Sequence, residues 1–253
     1  LFDAGANVGV IEPGYPAYPN ILKALSINPV RIPVHDDPKF VPQLHHIEAA
    51  TKQSGPLDGL LLASPSNPTG SIVPGPQLAT LIDAIEGQGG AMISDEIYHG
   101  ITFDKDNRTA PTALSYSDQA IVVSSFSKYY SMTGWRIGWM VVPDHLVDPI
   151  TRLQQSLYIS PPTLSQLAAM KVFDAEEELE ANVAVYKRNR DLLMDALPKL
   201  GFTHLSPVDG AFYIYVDISP RSDDSSAFCT AMLNECGIAA TPGADFDSTQ
   251  GHK

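Results

Sequence analysis

Apolar positions along this chain fall into short runs separated by breaks rich in Pro, Gly and Ser. Residues 8–11, 29–34, 57–63, 91–94, 120–124 and 137–142 read as strands, because aliphatic and β-branched side chains fill each run and turn-forming residues bound it. The run at 57–63 is apolar at nearly every position, which predicts a strand covered on both faces. Helical spacing lies between these runs: a helix starts over 20–24, another spans 42–51 with Leu44 and Ile47 on one face, and a third spans 77–86. Strands alternating with helices predict an α/β fold with a mostly parallel sheet and helices on both faces. The link between the last two strands has no room for a crossover helix, so that pair is expected to be antiparallel. Tyr15, Asn67, Asp95 and Lys128 each follow a predicted strand, which would bring them to one edge of the sheet, where open α/β sheets bind ligands.

The pattern changes in the second half. Pro161 and Pro162 open a helix that runs to Phe173, and 176–200 forms a long charged helical pattern with acidic residues at its start, where the helix dipole favours them. Residues 210–216 alternate and are expected to form a strand. Residues 225–236 are helical, closed by Gly237. The division expected is a large domain over 1–180 and a smaller, partial α+β domain over 181–253, with the long helix between them.

The chain has 253 residues and 44% apolar residues, enough for a sizeable core, and a net charge of −13, which argues against a nucleic-acid surface. It contains no apolar run of membrane length. Cys229 and Cys236 match neither a disulfide framework nor a metal pair, and are expected as reduced thiols of a cytoplasmic protein. His35, His45 and His46 have no acidic or cysteine partners at ligand spacing in sequence, so no metal site is expected and the three are read as solvated surface.

The chemistry concentrates in 124–139, Ser-Ser-Phe-Ser-Lys-Tyr-Tyr-Ser-Met-Thr-Gly-Trp-Arg-Ile-Gly-Trp. A strand delivers Ser125 and Lys128, and Arg136 follows between two glycines. Serines, a guanidinium and an amine together suit a phosphate monoester beside a nucleophile. Asp95 ends a buried strand, where a carboxylate is costly without a positive partner. Asn67 lies in a Ser-Asn-Pro-Thr-Gly turn, and Tyr15 in Pro-Gly-Tyr-Pro-Ala-Tyr, whose second tyrosine, Tyr18, is read as packing.

These four motifs, in this order and over essentially the whole chain, resemble the class I/II aminotransferases of fold type I. The resemblance implies pyridoxal 5′-phosphate as cofactor, held as an imine by Lys128, with Ser125 and Arg136 on its phosphate. It implies an Asp95 ion pair with the ring nitrogen, bonds from Asn67 and Tyr98 to the ring oxygen, and Tyr15 stacked on the ring. Lys128 would then shuttle the proton of transamination between an amino acid and a 2-oxo acid, with Lys128, Asp95 and Tyr98 as the catalytic set. It further implies a homodimer, which the apolar 158–162 loop supports.

The family's glycine-rich phosphate loop would precede Leu1, and its carboxylate-binding arginine would follow Pro242-Gly-Ala-Asp-Phe246, so the chain is read as a fragment of a longer protein. Gln155 stands where dicarboxylate-specific animal-type members carry an arginine, which weakens aspartate as substrate without excluding it, and Gly210-Ala-Phe212 resembles the family's strand beside the substrate pocket, whose small residues leave room for neutral or aromatic side chains. Two alternatives stay open: a related lyase acting on carbon–sulfur bonds or a cyclopropane-carboxylate synthase, and an aminotransferase-like effector domain of a transcription regulator.

Overall fold

The computed structural model describes residues 1–103 and 110–253. Its centre is a six-stranded sheet built from β1 (Asn7–Glu12), β2 (Asn28–Pro33), β3 (Gly59–Ala63), β4 (Ala91–Asp95), β5 (Ile121–Ser125) and β6 (Gly138–Val141), in the spatial order β2-β1-β3-β4-β5-β6. The first five are parallel. β6 runs antiparallel to β5, with Ser125 opposite Gly138, as the short connection requires.

Helices α1 (Ala17–Ala24), α2 (Leu44–Ser54) and α3 (Gly75–Glu86) cover the two faces of the sheet. On one face Val8 and Val10 of β1 meet Leu22 of α1. On the other, Ile32, Leu60, Leu62 and Met92 meet Ile47 and Ala50 of α2 and Leu78, Leu81, Ile82 and Ile85 of α3. Both sides of β3 are therefore covered, which is why its sequence shows no alternation. Each fully buried aliphatic side chain in this core contributes roughly 1.5–3 kcal/mol of transfer free energy.

Four helices follow the sheet: α4 (Asp144–Tyr158), α5 (Thr163–Val172), α6 (Glu176–Lys199) and α7 (Ser225–Cys236). Glu176, Glu177 and Glu178 fill the first turn of α6 and Lys199 its last, matching both dipole ends. Residue 180, the expected domain division, lies inside this helix. α7 is closed at both ends: the Asp224 carboxylate accepts from Ala227 N–H, and Gly237 takes the left-handed conformation at φ 67°.

Several sequence expectations are corrected. α4 was not foreseen, because Pro149 inside it reads as a breaker, yet its 15 residues form one helix. Tyr158 is the last residue of that helix and not the start of a loop. Residues 210–216 do not form a strand. Ala211 sits at φ 59°, which breaks the extended course, and only isolated bridges remain, Thr102 with Gly210 and Leu205 with Val216. α1 starts at Ala17 and not near Asn20. α2 starts at Leu44, whose side chain is exposed, while His46, Ile47 and Ala50 face inward.

The histidines are not simply solvated. Asp36, ahead of α2, bonds Nε2 of both His45 and His46, and these bonds hold its carboxyl down at about 2. His46 is buried and caps the helix: its Nδ1 accepts the Gln43 N–H at 2.8 Å. His35 is paired with Asp247 at 2.9 Å.

Candidate functional site

The carboxyl ends of β1, β3, β4 and β5 point the same way, and the loops leaving them carry the predicted site residues. Asp95 pairs in register with Ala63 of β3 and Val123 of β5, so the sheet itself sets its position. Its Oδ2 accepts the Tyr18 phenol at 2.6 Å and its Oδ1 accepts Ile97 N–H at 3.1 Å. Burial pushes this carboxyl up, and the two donors only partly offset that. Among the described residues the carboxylate makes no ion pair; the positive influence on it is the His99 ring, which lowers it only slightly. Tyr18 therefore has a role beyond packing; burial and the neighbouring Asp95 push its phenol well up.

Tyr98 follows on the turn after β4 and is buried. Its hydroxyl lies 2.6 Å from that of Tyr213, a distance at which either oxygen can be the donor, and burial pushes the Tyr98 phenol up. Lys128 Nζ lies 5.7 Å from the Tyr98 ring centroid and 5.6 Å from that of Phe212. A cation over two ring faces is favourable, and the rings wall the amine in from two sides.

The loop that carries Lys128 closes on itself. Met132 N–H bonds Phe126 O at 2.9 Å, Thr133 Oγ1 bonds Ser127 O at 2.6 Å, and Met132 is buried beneath. Phe126, Tyr130, Trp139 and Phe173 form a ring cluster beside it. Two bonds tie the loop to α6: Tyr129 OH donates to Glu180 at 2.6 Å, and Asn182 Nδ2 donates to Ser131 Oγ at 3.2 Å.

Asn67 follows β3, and its side-chain oxygen is buried with no hydrogen-bond partner among the described residues. Because an amide can turn end for end, this is a polar group free to meet a donor or an acceptor. Tyr15 is 44% exposed and touches Tyr18 edge-on at 5.4 Å, leaving a ring face open. Ser125 Oγ accepts Ser127 N–H at 3.0 Å. Arg136, at φ 52°, is exposed and donates to Thr133 O at 2.9 Å, so these two predicted phosphate groups share the loop but are not bonded to each other.

Asp95 and Ser125 end their strands, and Tyr15, Asn67, Tyr98, Lys128 and Arg136 lie on loops, at one end of the sheet. The structure adds Tyr18 and Tyr213, which sequence reasoning missed, and brings in Phe212 from the 210–212 segment that the resemblance set beside the substrate pocket. Tyr18 had a faint signal, since it stands one helical turn after Tyr15. Tyr213 had none. The 242–246 segment also arrives here: Gly14 N–H bonds Phe246 O at 2.9 Å, and Ser248 donates to buried Glu12, which is ion-paired with Arg31.

The donor set fits pyridoxal phosphate: a carboxyl raised by desolvation, an amide oxygen without a partner among the described residues, an open aromatic face and a half-buried lysine between two rings. The Asp36, His45 and His46 cluster fits a metal less well. Because His46 Nδ1 accepts a backbone N–H, its proton sits on the Nε2 that would have to bind the ion. Among the described residues, no helix is long and apolar enough to cross a membrane.

The sequence model of the class I and II aminotransferases matches residues 1–252. The valine–pyruvate aminotransferase of Mycobacterium tuberculosis is 43% identical over 252 residues, covering 99% of this chain and 64% of that protein. The (5-formylfuran-3-yl)methyl phosphate transaminase of Methanocaldococcus jannaschii is 32% identical over 98% of this chain and 63% of its own length. A solved aminotransferase structure from Mycobacterium tuberculosis superimposes with a TM-score of 0.94 at 42% identity, over 99% of this chain and 64% of that one. The chain thus spans somewhat under two thirds of the curated relatives it matches.

Proposed function

This chain belongs to the class I and II aminotransferase family, and from that premise we propose that the protein containing it is a pyridoxal-phosphate-dependent amino acid aminotransferase. The observation that carries the reading is the Asp95 carboxyl, held up by burial, at the same sheet end as a half-buried Lys128 between two rings. Pyridoxal phosphate, when bound, supplies the carbonyl that takes up the amino group and the ring that accepts the electron pair left on the substrate's α-carbon.

The residues divide that work. Asp95 would hold the ring nitrogen's proton through an ion pair. Tyr98 and Asn67 would hold the ring oxygen, Tyr15 would stack on the ring, and Ser125 and Arg136 would hold the phosphate. Lys128 Nζ would anchor the cofactor, and the same amine would serve as the base for the substrate's α-proton. Phe212 and Tyr98 exclude water from that amine. The amino group passes to a 2-oxo acid. The similarity to a valine–pyruvate enzyme, with Gln155 in place of a dicarboxylate-binding arginine, favours a neutral amino acid and pyruvate. The assembly is a cytoplasmic homodimer, with the large domain ending near residue 180.

Full-length protein and its Lys128→Ala variant, each mixed with pyridoxal phosphate, test the reading. Wild type should develop the visible absorbance of a lysine-bound cofactor and transfer amino groups; the variant should do neither. A variant that keeps both would overturn it.

A further inference from the structure

Residues 208–213 enter the site as a backbone strut. Gly210 N–H bonds Gly70 O at 2.9 Å, in the loop that carries Asn67. Ala211 N–H bonds Ile101 O at 2.9 Å, and Phe103 N–H bonds Asp209 O at 3.0 Å, in the segment just after Tyr98. The strut is wedged between these two loops: a Cβ on Gly70 would stand 2.7 Å from Gly210 O, and a Cβ on Gly210 would stand 2.7 Å from a Pro65 side-chain carbon and 2.8 Å from Ile101 O. Ala211 is completely buried at its positive φ. The next two residues have little freedom, and they are Phe212, beneath Lys128, and Tyr213, whose hydroxyl meets that of Tyr98.

A phenol oxygen has one proton to give. If Tyr98 spends its proton on Tyr213, none is left for the cofactor's ring oxygen. If Tyr213 donates instead, Tyr98 is turned outward as a donor and strengthened by the bond it receives. We propose that Tyr213 is a positioning residue: it donates to Tyr98, fixing that phenol as the donor to the cofactor's ring oxygen, and the 208–213 strut makes this alignment depend on the C-terminal part of the chain. The inference rests on the function proposed above. The other groups facing Tyr98 are Asp95, Tyr15 and Lys128.

A donor at the ring oxygen favours the form in which that oxygen is negative and the lysine imine has lost its proton. Weakening the donor therefore raises the pH midpoint of the visible band. The test compares pyridoxal-phosphate-loaded full-length wild type with Tyr213→Phe, Tyr98→Phe and the double variant by spectral pH titration. Tyr213→Phe should raise the midpoint by about half a pH unit, a share of one neutral hydrogen bond. Tyr98→Phe should raise it further, and the double variant should match Tyr98→Phe alone.

Tyr213→Phe keeps the wedged ring, and a second variant guards against misfolding: difluorotyrosine at position 213, a stronger donor, should lower the midpoint. A midpoint unmoved by both changes at 213, or a shift at 213 that persists in full when Tyr98 is already Phe, would overturn the inference while leaving the proposed function intact. A wild type with no visible band would overturn both.

Discussion

The Tyr18 phenol donates a 2.6 Å hydrogen bond to Oδ2 of Asp95 across 77 residues of sequence, joining the first turn of α1 to the end of β4. That bond and the Ile97 N–H pull the carboxyl down, but burial pulls it up harder. A carboxyl raised in the folded state adds stability that is complete below its unfolded value and is lost as pH rises through its folded value. At neutral pH the strand end therefore carries a penalty that a cation would remove, the mark of a site that gives up stability for function.

Asp95→Asn should accordingly raise the melting temperature of the cofactor-free protein at neutral pH, with the difference closing in acid, where the wild-type carboxyl is protonated. In the loaded enzyme Asp95→Ala should keep the cofactor but lose at least about 3 kcal/mol of transition-state stabilisation, the size of one buried charged contact. Turnover close to wild type would make the carboxylate structural.

Asp247 behaves in the opposite sense. Burial pushes its carboxyl up, but His35, the Thr249 N–H and hydroxyl, and the Gln250 N–H outweigh burial and hold it well below the usual range. Its contribution is present above the ordinary carboxylate range and fades as pH falls toward the lower folded value. Asp247→Asn should cost about 1–3 kcal/mol at neutral pH and move the acid unfolding midpoint upward. An acid transition identical to wild type would contradict this.

Gly70→Ala should destabilise the protein by more than about 1 kcal/mol, because φ is +66° and the added carbon would press on Gly210 O. The same change should reduce cofactor affinity, since it displaces the strut from the Asn67 loop. A thermal melt and a cofactor titration decide the point, and an unchanged pair of values would show that the strut is not tightly seated.

α4, its end and α5 leave Leu157, Ile159, Leu164, Leu167, Met170 and Phe173 more than half exposed. So large an apolar patch is a poor free surface. Full-length protein should scatter light as a species of twice the chain mass, as the proposed C2 dimer requires. A monomer that still transaminates at dilute concentration would rule the dimer out.

Much of this was legible in the residues. All six sheet strands, the antiparallel β6 and the closure of α7 at Gly237 follow from local periodicity and turn chemistry, and the seven predicted site residues do lie at one sheet end. α4 was hidden because a proline inside a helix is a strong local signal against one. The expected strand at 210–216 failed because Ala211 sits at positive φ with its N–H bonded to Ile101 O, a long-range contact that no alternation pattern encodes.

The sequence by itself determined the elements and the chemical groups, because both depend on spacing within a few residues: apolar periods choose strand or helix, and strand ends carry Asn67, Asp95 and Lys128 outward. Tertiary structure decided the partners. Tyr18 meets Asp95, Tyr213 meets Tyr98, His35 meets Asp247, and the pattern around each residue carries no record of the other. Such pairs form only when the sheet order is set and distant loops close on one another, so the physical cause lies in the packing of the whole chain rather than in any stretch of it.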